Sequence, residues 1–355
     1  MLSDGVLRYN ILVEEFIEIV FAWIGENESV LSGMVAIAVL IGLIATGVRR
    51  FALRSKTSLK TALEIPVAAP KTELYESTLD QEIRYCRTSD RVRIAYAVSG
   101  EGTPIVRSLG WYTHLEVEWS SPLGKSFWQR LSRDHQLIRY DGRGIGLSES
   151  TTDFSAENRL KDLEAVVDAA GLDQFALLGS SEGSRTALRY VAKHPERVSH
   201  LILYGALVSN AEKTDHEQIK LDQMYLSMVE AGWDKESHRK MFADLFLGLS
   251  ASTEEINYFV EMQRSSASQE VATAYIRSLN EREQGFEVAG QIRVPTLILH
   301  PKDDQIVPFQ NSLDLAAEIP SARLKLLDGD CHWLLLKSAR SEEYINTIEA
   351  FLRGE

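Results

Sequence analysis

The sequence predicts an α/β fold: a mostly parallel sheet with helices on both faces and a helical lid, preceded by an apolar amino-terminal helix. Three observations carry this. From about residue 82 to the end, short β-prone runs alternate with segments of helical period. A stretch over about 210–290 has helical pattern but no strand run, and it interrupts that alternation before the last strands. At 30–48 stands a run of nineteen residues without a charge, VLSGMVAIAVLIGLIATGV.

Taken in order, residues 1–29 come first. Their apolar stretch at 11–24 is broken by Glu14, Glu15 and Glu18, which share one face at helical spacing. Three carboxylates are too costly for a lone membrane span, so an amphipathic helix at the membrane surface is expected, with packing against copies of itself as the alternative. The run at 30–48 would measure about 28 Å as a helix, close to the hydrocarbon thickness of a bilayer. It is read as a transmembrane helix. It starts too far into the chain, behind too acidic a flank, for a cleaved signal peptide. Arg49, Arg50, Arg54, Lys56 and Lys60 follow it, whereas Asp4, Glu14, Glu15, Glu18, Glu26 and Glu28 precede it with only Arg8 in opposition. The positive side stays inside, so a single-pass protein with its large carboxyl-terminal part in the cytoplasm is expected. Residues 49–81, with Pro66 and Pro70, read as a basic juxtamembrane segment and linker.

The remaining domain is expected over 82–355. Runs at 83–87 and 92–98 flank Ser89-Asp90 and suggest a hairpin. Further strands are expected at 105–109, 136–140, 175–178, 201–204, 296–300 and 324–327. Helices are expected at 126–133, 156–170, 182–193, 309–319 and 342–352. In the segment 156–170, Leu160, Leu163, Val166 and Val167 recur at helical period. The lid carries Met224, Tyr225, Met228, Phe242, Phe246, Phe259 and Met262, which serve either as lid core or as an apolar wall for an acyl group.

Composition excludes some functions. The net charge of −13 lacks the basic footprint of nucleic-acid binding. Two cysteines, Cys86 and Cys331, make neither a disulfide framework nor a zinc motif. No metal or cofactor is expected.

The chemistry concentrates in Gly179-Ser180-Ser181-Glu182-Gly183, a G-x-S-x-G pattern. The bare pattern arises by chance in roughly one such chain in ten, so its setting decides. Here it joins a buried strand to a helix, as a nucleophile elbow requires. Small neighbours two residues away permit the strained turn, and the helix amino terminus favours developing negative charge. Serine needs a base and an orienting acid. The strand at 296–300 leads to Asp303-Asp304, and that at 324–327 leads to His332. Both loops fall at the carboxyl edge of the sheet, where sites of this class are built. His300 lies too close to its own strand to be the base. For the oxyanion, one donor is the Glu182 backbone N–H and the other lies near Gly110-Trp111. The glycine-rich run Asp141-Gly142-Arg143-Gly144-Ile145-Gly146 lacks the G-x-G-x-x-G spacing and a following helix, so it reads as a tight loop rather than a phosphate cradle.

These residues resemble the α/β-hydrolase superfamily: the elbow, Asp304 in D-x-x-V-P, His332, and the D-G-R-G-x-G-x-S run at 141–148. The resemblance implies the α/β-hydrolase fold, with Ser181 as nucleophile, Asp304 as acid and His332 as base. A narrower similarity rests on Trp111-x-Thr113-His114-Leu115-Glu116, Arg139-Tyr140-Asp141 and Glu261-Met262-Gln263-Arg264 with Ser266 and Ser268. It points to bacterial hydrolase domains often joined to class III adenylate cyclases or LuxR-type regulators. No cyclase or DNA-binding region is read in this sequence; the expected membrane anchor stands at the other end instead. The His-Gly that often precedes the oxyanion donor is Leu109-Gly110 here, which leaves the Trp111 N–H in place. Gly110 and His114 on this loop are the candidate substrate-binding positions.

Two functions follow as expectations. One is a membrane-anchored serine hydrolase cleaving an ester, thioester, lactone or amide of a small acyl substrate. The other is a membrane-tethered sensor that holds a small ligand in the same pocket with little turnover. The amino-terminal helices are the expected route to a homo-oligomer or a signalling partner.

Overall fold

One sheet organises the molecule. In a computed structural model of the chain, the described residues are 80–110, 113–208, 216–248, 251–279, 285–333 and 339–355. All belong to a single unit, Tyr75–Glu355. The expected amphipathic helix at 1–29, membrane span at 30–48 and most of the linker lie outside the described residues. Among the described residues no helix is long and apolar enough to cross a membrane.

The strands are β1 (Glu82–Arg87), β2 (Arg93–Ser99), β3 (Thr103–Leu109), β4 (His135–Asp141), β5 (Phe175–Ser180), β6 (Val198–Tyr204), β7 (Thr296–Pro301) and β8 (Ala322–Leu327). Their order across the sheet is β1-β2-β4-β3-β5-β6-β7-β8. β1 and β2 form the expected antiparallel hairpin, and β2 runs antiparallel to β4. Every later pairing is parallel.

The helices of the sheet's two faces are α1 (Leu115–Ser120), α2 (Pro122–Leu131), α3 (Ala156–Ala169) and α4 (Gly183–Lys193). Between β6 and β7 come four lid helices: α5 (His216–Gly232), α6 (Glu236–Leu247), α7 (Thr253–Ser266) and α8 (Gln269–Leu279). α9 (Phe309–Glu318) and α10 (Ala339–Leu352) complete the domain. The expected helix at 126–133 begins earlier, because Ser121 accepts from the Leu123 N–H and Pro122 suits the first helical position. α1 escapes a periodicity reading because six residues make fewer than two turns.

Strand alternation distributes the core. On β5, Ala176 and Leu178 face one layer and Phe175 and Leu177 the other. The first layer adds Phe127 and Trp128 of α2 and Tyr344, Ile345 and Ile348 of α10. The second adds Leu163, Val166 and Val167 of α3 and Leu188, Tyr190 and Val191 of α4. Burial on both faces explains why β5 reads as a continuous apolar run. The lid joins the first layer through Phe242, Phe259 and Met262, all fully buried. Each such side chain contributes about 1.5–3 kcal/mol, so these residues serve chiefly as lid core.

The glycine-rich run is a tight loop. Asp141 accepts from the N–H groups of Leu115 and Leu147, and Arg143 bridges the carboxylates of Asp162 and Asp90. Burial pushes the Asp162 carboxyl up to about 6, outweighing the pull of Arg143.

Candidate active site

The site forms where the strand order reverses. The chain leaves β3 for β4 on one side and returns to β5 on the other. The crevice beyond the carboxyl ends of β3 and β5 is the usual binding place in such sheets. Leu109 and Ser180 are register partners at the ends of those strands, so Gly110 and Ser181 emerge side by side.

Ser181 occupies the left-handed region at φ +51°. A non-glycine residue there costs roughly 1–2 kcal/mol, and surrounding structure holds it. Its N–H donates to the Tyr204 carbonyl at 2.9 Å, and its carbonyl accepts from the Leu207 N–H at 3.1 Å. A Cβ on Gly179 would meet Ala187 Cβ and Ser184 Cα, each at 2.9 Å, which is why this flank of the turn must be glycine. α4 begins directly afterwards, with Glu182 as its amino-cap residue.

His332 lies after β8, three strands from β5 in the sheet order. At about 4.8 Å per strand those strand ends lie roughly 14 Å apart, so the loop at 328–331 must carry His332 back along the sheet edge. Gly205, at the end of β6 with φ +48°, leaves the room: a Cβ there would lie 3.0 Å from His332 Cε1 and 3.1 Å from Nδ1. The His332 loop is also tied down at several points. The Tyr204 hydroxyl donates to the Cys331 carbonyl at 2.9 Å, and the His332 N–H donates to the Phe246 carbonyl of α6 at 2.8 Å. The Phe246 ring meets the imidazole edge-on at 5.6 Å.

These constraints assemble a hydrogen-bonded chain. Ser181 Oγ is 2.9 Å from His332 Nε2, and His332 Nδ1 is 2.7 Å from Asp304 Oδ2. Both partner side chains are almost completely buried. The other Asp304 oxygen accepts from the N–H groups of Ile306 and Val307 at 2.8 and 3.0 Å. Burial alone would raise this carboxyl, but the His332 ring and the two backbone donors outweigh it and hold it below the usual carboxylate range. An ionised Asp304 only accepts, so Nδ1 carries the proton and Nε2 is left to accept from the serine hydroxyl.

The two alternatives sit differently. Asp303 is exposed, and its N–H binds the Gly329 carbonyl. His300 is fully buried, with its nitrogens on Ser312 Oγ at 2.8 Å and the Val307 carbonyl at 3.2 Å. Of the predicted binding residues, His114 caps α1 by accepting from the Val117 N–H at 3.4 Å. Gly110 lies against the Glu182 side chain. Trp111 falls outside the described residues. Gly205 was missed by sequence reasoning, although a glycine at the carboxyl end of the strand next to β5 was its signal.

A family model described as "alpha/beta hydrolase fold" matches residues 110–339. The chain belongs to the α/β-hydrolase family. This α/β-hydrolase is 28% identical over 272 residues to a non-heme haloperoxidase of Rhodococcus erythropolis, covering 72% of this chain and 94% of the relative. It is 26% identical over 233 residues to a 2-hydroxy-6-oxo-2,4-heptadienoate hydrolase of Pseudomonas putida, covering 63% and 81%. Among solved structures it is similar to an esterase from Exiguobacterium antarcticum, with a TM-score of 0.67, 23% identity, and coverage of 76% of this chain and 98% of the other. The protein is therefore an enzyme of the α/β-hydrolase family.

Proposed function

We propose that the protein is a membrane-anchored serine hydrolase that cleaves a carboxylic ester, thioester, lactone or amide through an acyl-serine intermediate. The single observation that carries this reading is the chain Ser181 Oγ–His332 Nε2–Nδ1–Asp304 at 2.9 and 2.7 Å. His332 takes the Ser181 proton as Oγ attacks the substrate carbonyl. The negative charge on the tetrahedral oxygen meets the Glu182 N–H at the start of α4, with the Trp111 N–H as the second donor. His332 returns the proton to the departing alcohol, thiol or amine. It then deprotonates a water, which attacks the acyl-serine and releases the acid. Phe246 beside His332 gives the acyl chain an apolar neighbour. The relatives' names span a haloperoxidase, a 2-hydroxy-6-oxo-2,4-heptadienoate hydrolase and an esterase. An esterase reading suits this site because it needs nothing beyond the three side chains and water.

The anchor is the uncharged run at 30–48, and the basic flank behind it sets the hydrolase on the cytoplasmic side. That address suits a substrate or signal generated at the bilayer, in line with the similarity to domains joined to signalling modules. The test is a panel of p-nitrophenyl esters of increasing acyl length against wild type and Ser181→Ala. Turnover by wild type and loss of at least about 10⁴-fold in the variant support the reading. Equal rates for both enzymes, or ligand-induced thermal stabilisation without turnover, would favour the sensor.

A further inference from the structure

The residue after the nucleophile carries more than a backbone N–H. Glu182 is buried, and its carboxylate collects partners from separate elements. The Tyr275 hydroxyl on lid helix α8 donates to Oε2 at 2.7 Å. Arg159 Nε on α3 pairs with Oε1 at 3.2 Å. Arg159 also donates to Ser278 Oγ on α8 at 2.9 Å and stands 5.7 Å from the Tyr275 ring centroid. Gly110, which opens the loop after β3, closes the cluster: a Cβ there would lie 2.8 Å from Glu182 Oε2 and 3.1 Å from the Tyr275 hydroxyl. The Glu182 backbone and Gly110, the residue before the second expected donor, thus flank one carboxylate held by the lid.

A carboxylate in this place has an electrostatic consequence. It sits on the residue whose N–H must stabilise a developing negative charge, in a setting that screens poorly. Unpaired, it would oppose the transition state. Arg159 offsets that charge, and Tyr275 fixes the carboxylate's direction. Burial of the Tyr275 hydroxyl raises its pKa well above the ordinary value, so it stays a donor.

We infer that the Glu182 carboxylate, clamped by Tyr275 and neutralised by Arg159, is a positioning group that sets the oxyanion hole in register beneath the lid. The inference rests on the acyl-serine reading above. It ties lid placement to chemistry: displacement of α8 moves the Glu182 N–H, not merely the mouth of the site.

The experiment measures kcat and KM for p-nitrophenyl butyrate on the full chain in detergent, with melting temperature as the folding check. Tyr275→Phe removes one hydroxyl from an otherwise intact ring, and a fall in kcat of about tenfold with KM changed less than about threefold is expected. Arg159→Met leaves a buried charge beside the oxyanion, and a fall in kcat of about 10²-fold is expected. Arg159→Met with Glu182→Gln removes both charges and should recover at least about tenfold of that loss. A merely structural role would show in the melting temperature, lost with the lone buried charge and regained in the double variant, with kcat of the folded enzyme little changed throughout. A double variant no faster than Arg159→Met, or a Tyr275→Phe effect confined to KM, overturns the inference while wild-type turnover keeps the acyl-serine reading intact. Absence of turnover in the wild type overturns both.

Discussion

Ser181 holds its hydroxyl toward His332 at a conformational cost, since φ +51° brings its Cβ against the backbone. Replacing it with glycine removes that Cβ. Ser181→Gly is expected to abolish ester hydrolysis yet stabilise the fold by up to about 1 kcal/mol, read as a raised melting temperature. Asp304 is the opposite case, a residue that stabilises while it orients. Its carboxyl is held below the usual range, so the unfolded chain binds the proton more readily than the folded one. The stabilisation is complete above the ordinary carboxylate range and is lost as pH falls through the lower native value. Asp304→Asn is expected to cut kcat by about 10⁴-fold and to flatten the fall of melting temperature with acid below about pH 4. A stability profile in acid identical to wild type would remove Asp304 from this account. At this scale the sequence was informative. The elbow, the loops after the strands at 296–300 and 324–327, and their order sufficed to single out Ser181, His332 and an aspartate. The choice of Asp304 over Asp303 rested on the family resemblance; in the fold one aspartate faces inward and the other faces solvent.

At the scale of elements, the site depends on where strands end. β5, β7 and β8 carry the three side chains, and β6 intervenes between β5 and β7. Gly205 lets the imidazole cross that gap. Gly205→Ala adds a Cβ at 3.0 Å from the ring, at a positive φ. It is expected to displace the imidazole, lower kcat by about 10²-fold and destabilise by about 1–2 kcal/mol, measured by steady-state kinetics and thermal unfolding. Unchanged kinetics would mean that the ring has another route to Ser181. The strands were legible because alternation and apolar runs follow burial on both faces. α1 was not, because it is too short for a period. Nor was the buried cluster of Arg107, Glu118 and Arg139, in which Glu118 accepts from both arginines. Both guanidinium groups also stack on Trp128, at 4.2 and 4.9 Å from its centroid. Charged residues read as surface from sequence, and only the fold brings these together where each has a partner.

At the scale of the whole molecule, the hydrolase unit and the amino-terminal segment have different physical characters. The first builds a core on both faces of a sheet; the second carries the uncharged run at 30–48 with acidic residues before it and basic residues after. The full chain is expected to sediment with membranes and to resist extraction at alkaline pH. A chain starting at Tyr75 is expected in the soluble fraction with ester hydrolysis retained. Sedimentation of the shortened chain with membranes would place the attachment elsewhere. The proposed anchor rests on composition alone, whereas the hydrolase unit is legible through pattern and motif together.

The central claim is that Ser181 is an activated nucleophile. A fluorophosphonate probe tests it most directly, because it reacts covalently with such a serine whatever the natural substrate. Wild type is expected to be labelled at a single site, mapped by mass spectrometry to the peptide containing Ser181, with no labelling of Ser181→Ala. Equal labelling of the two proteins, or a label on another serine, would contradict the account.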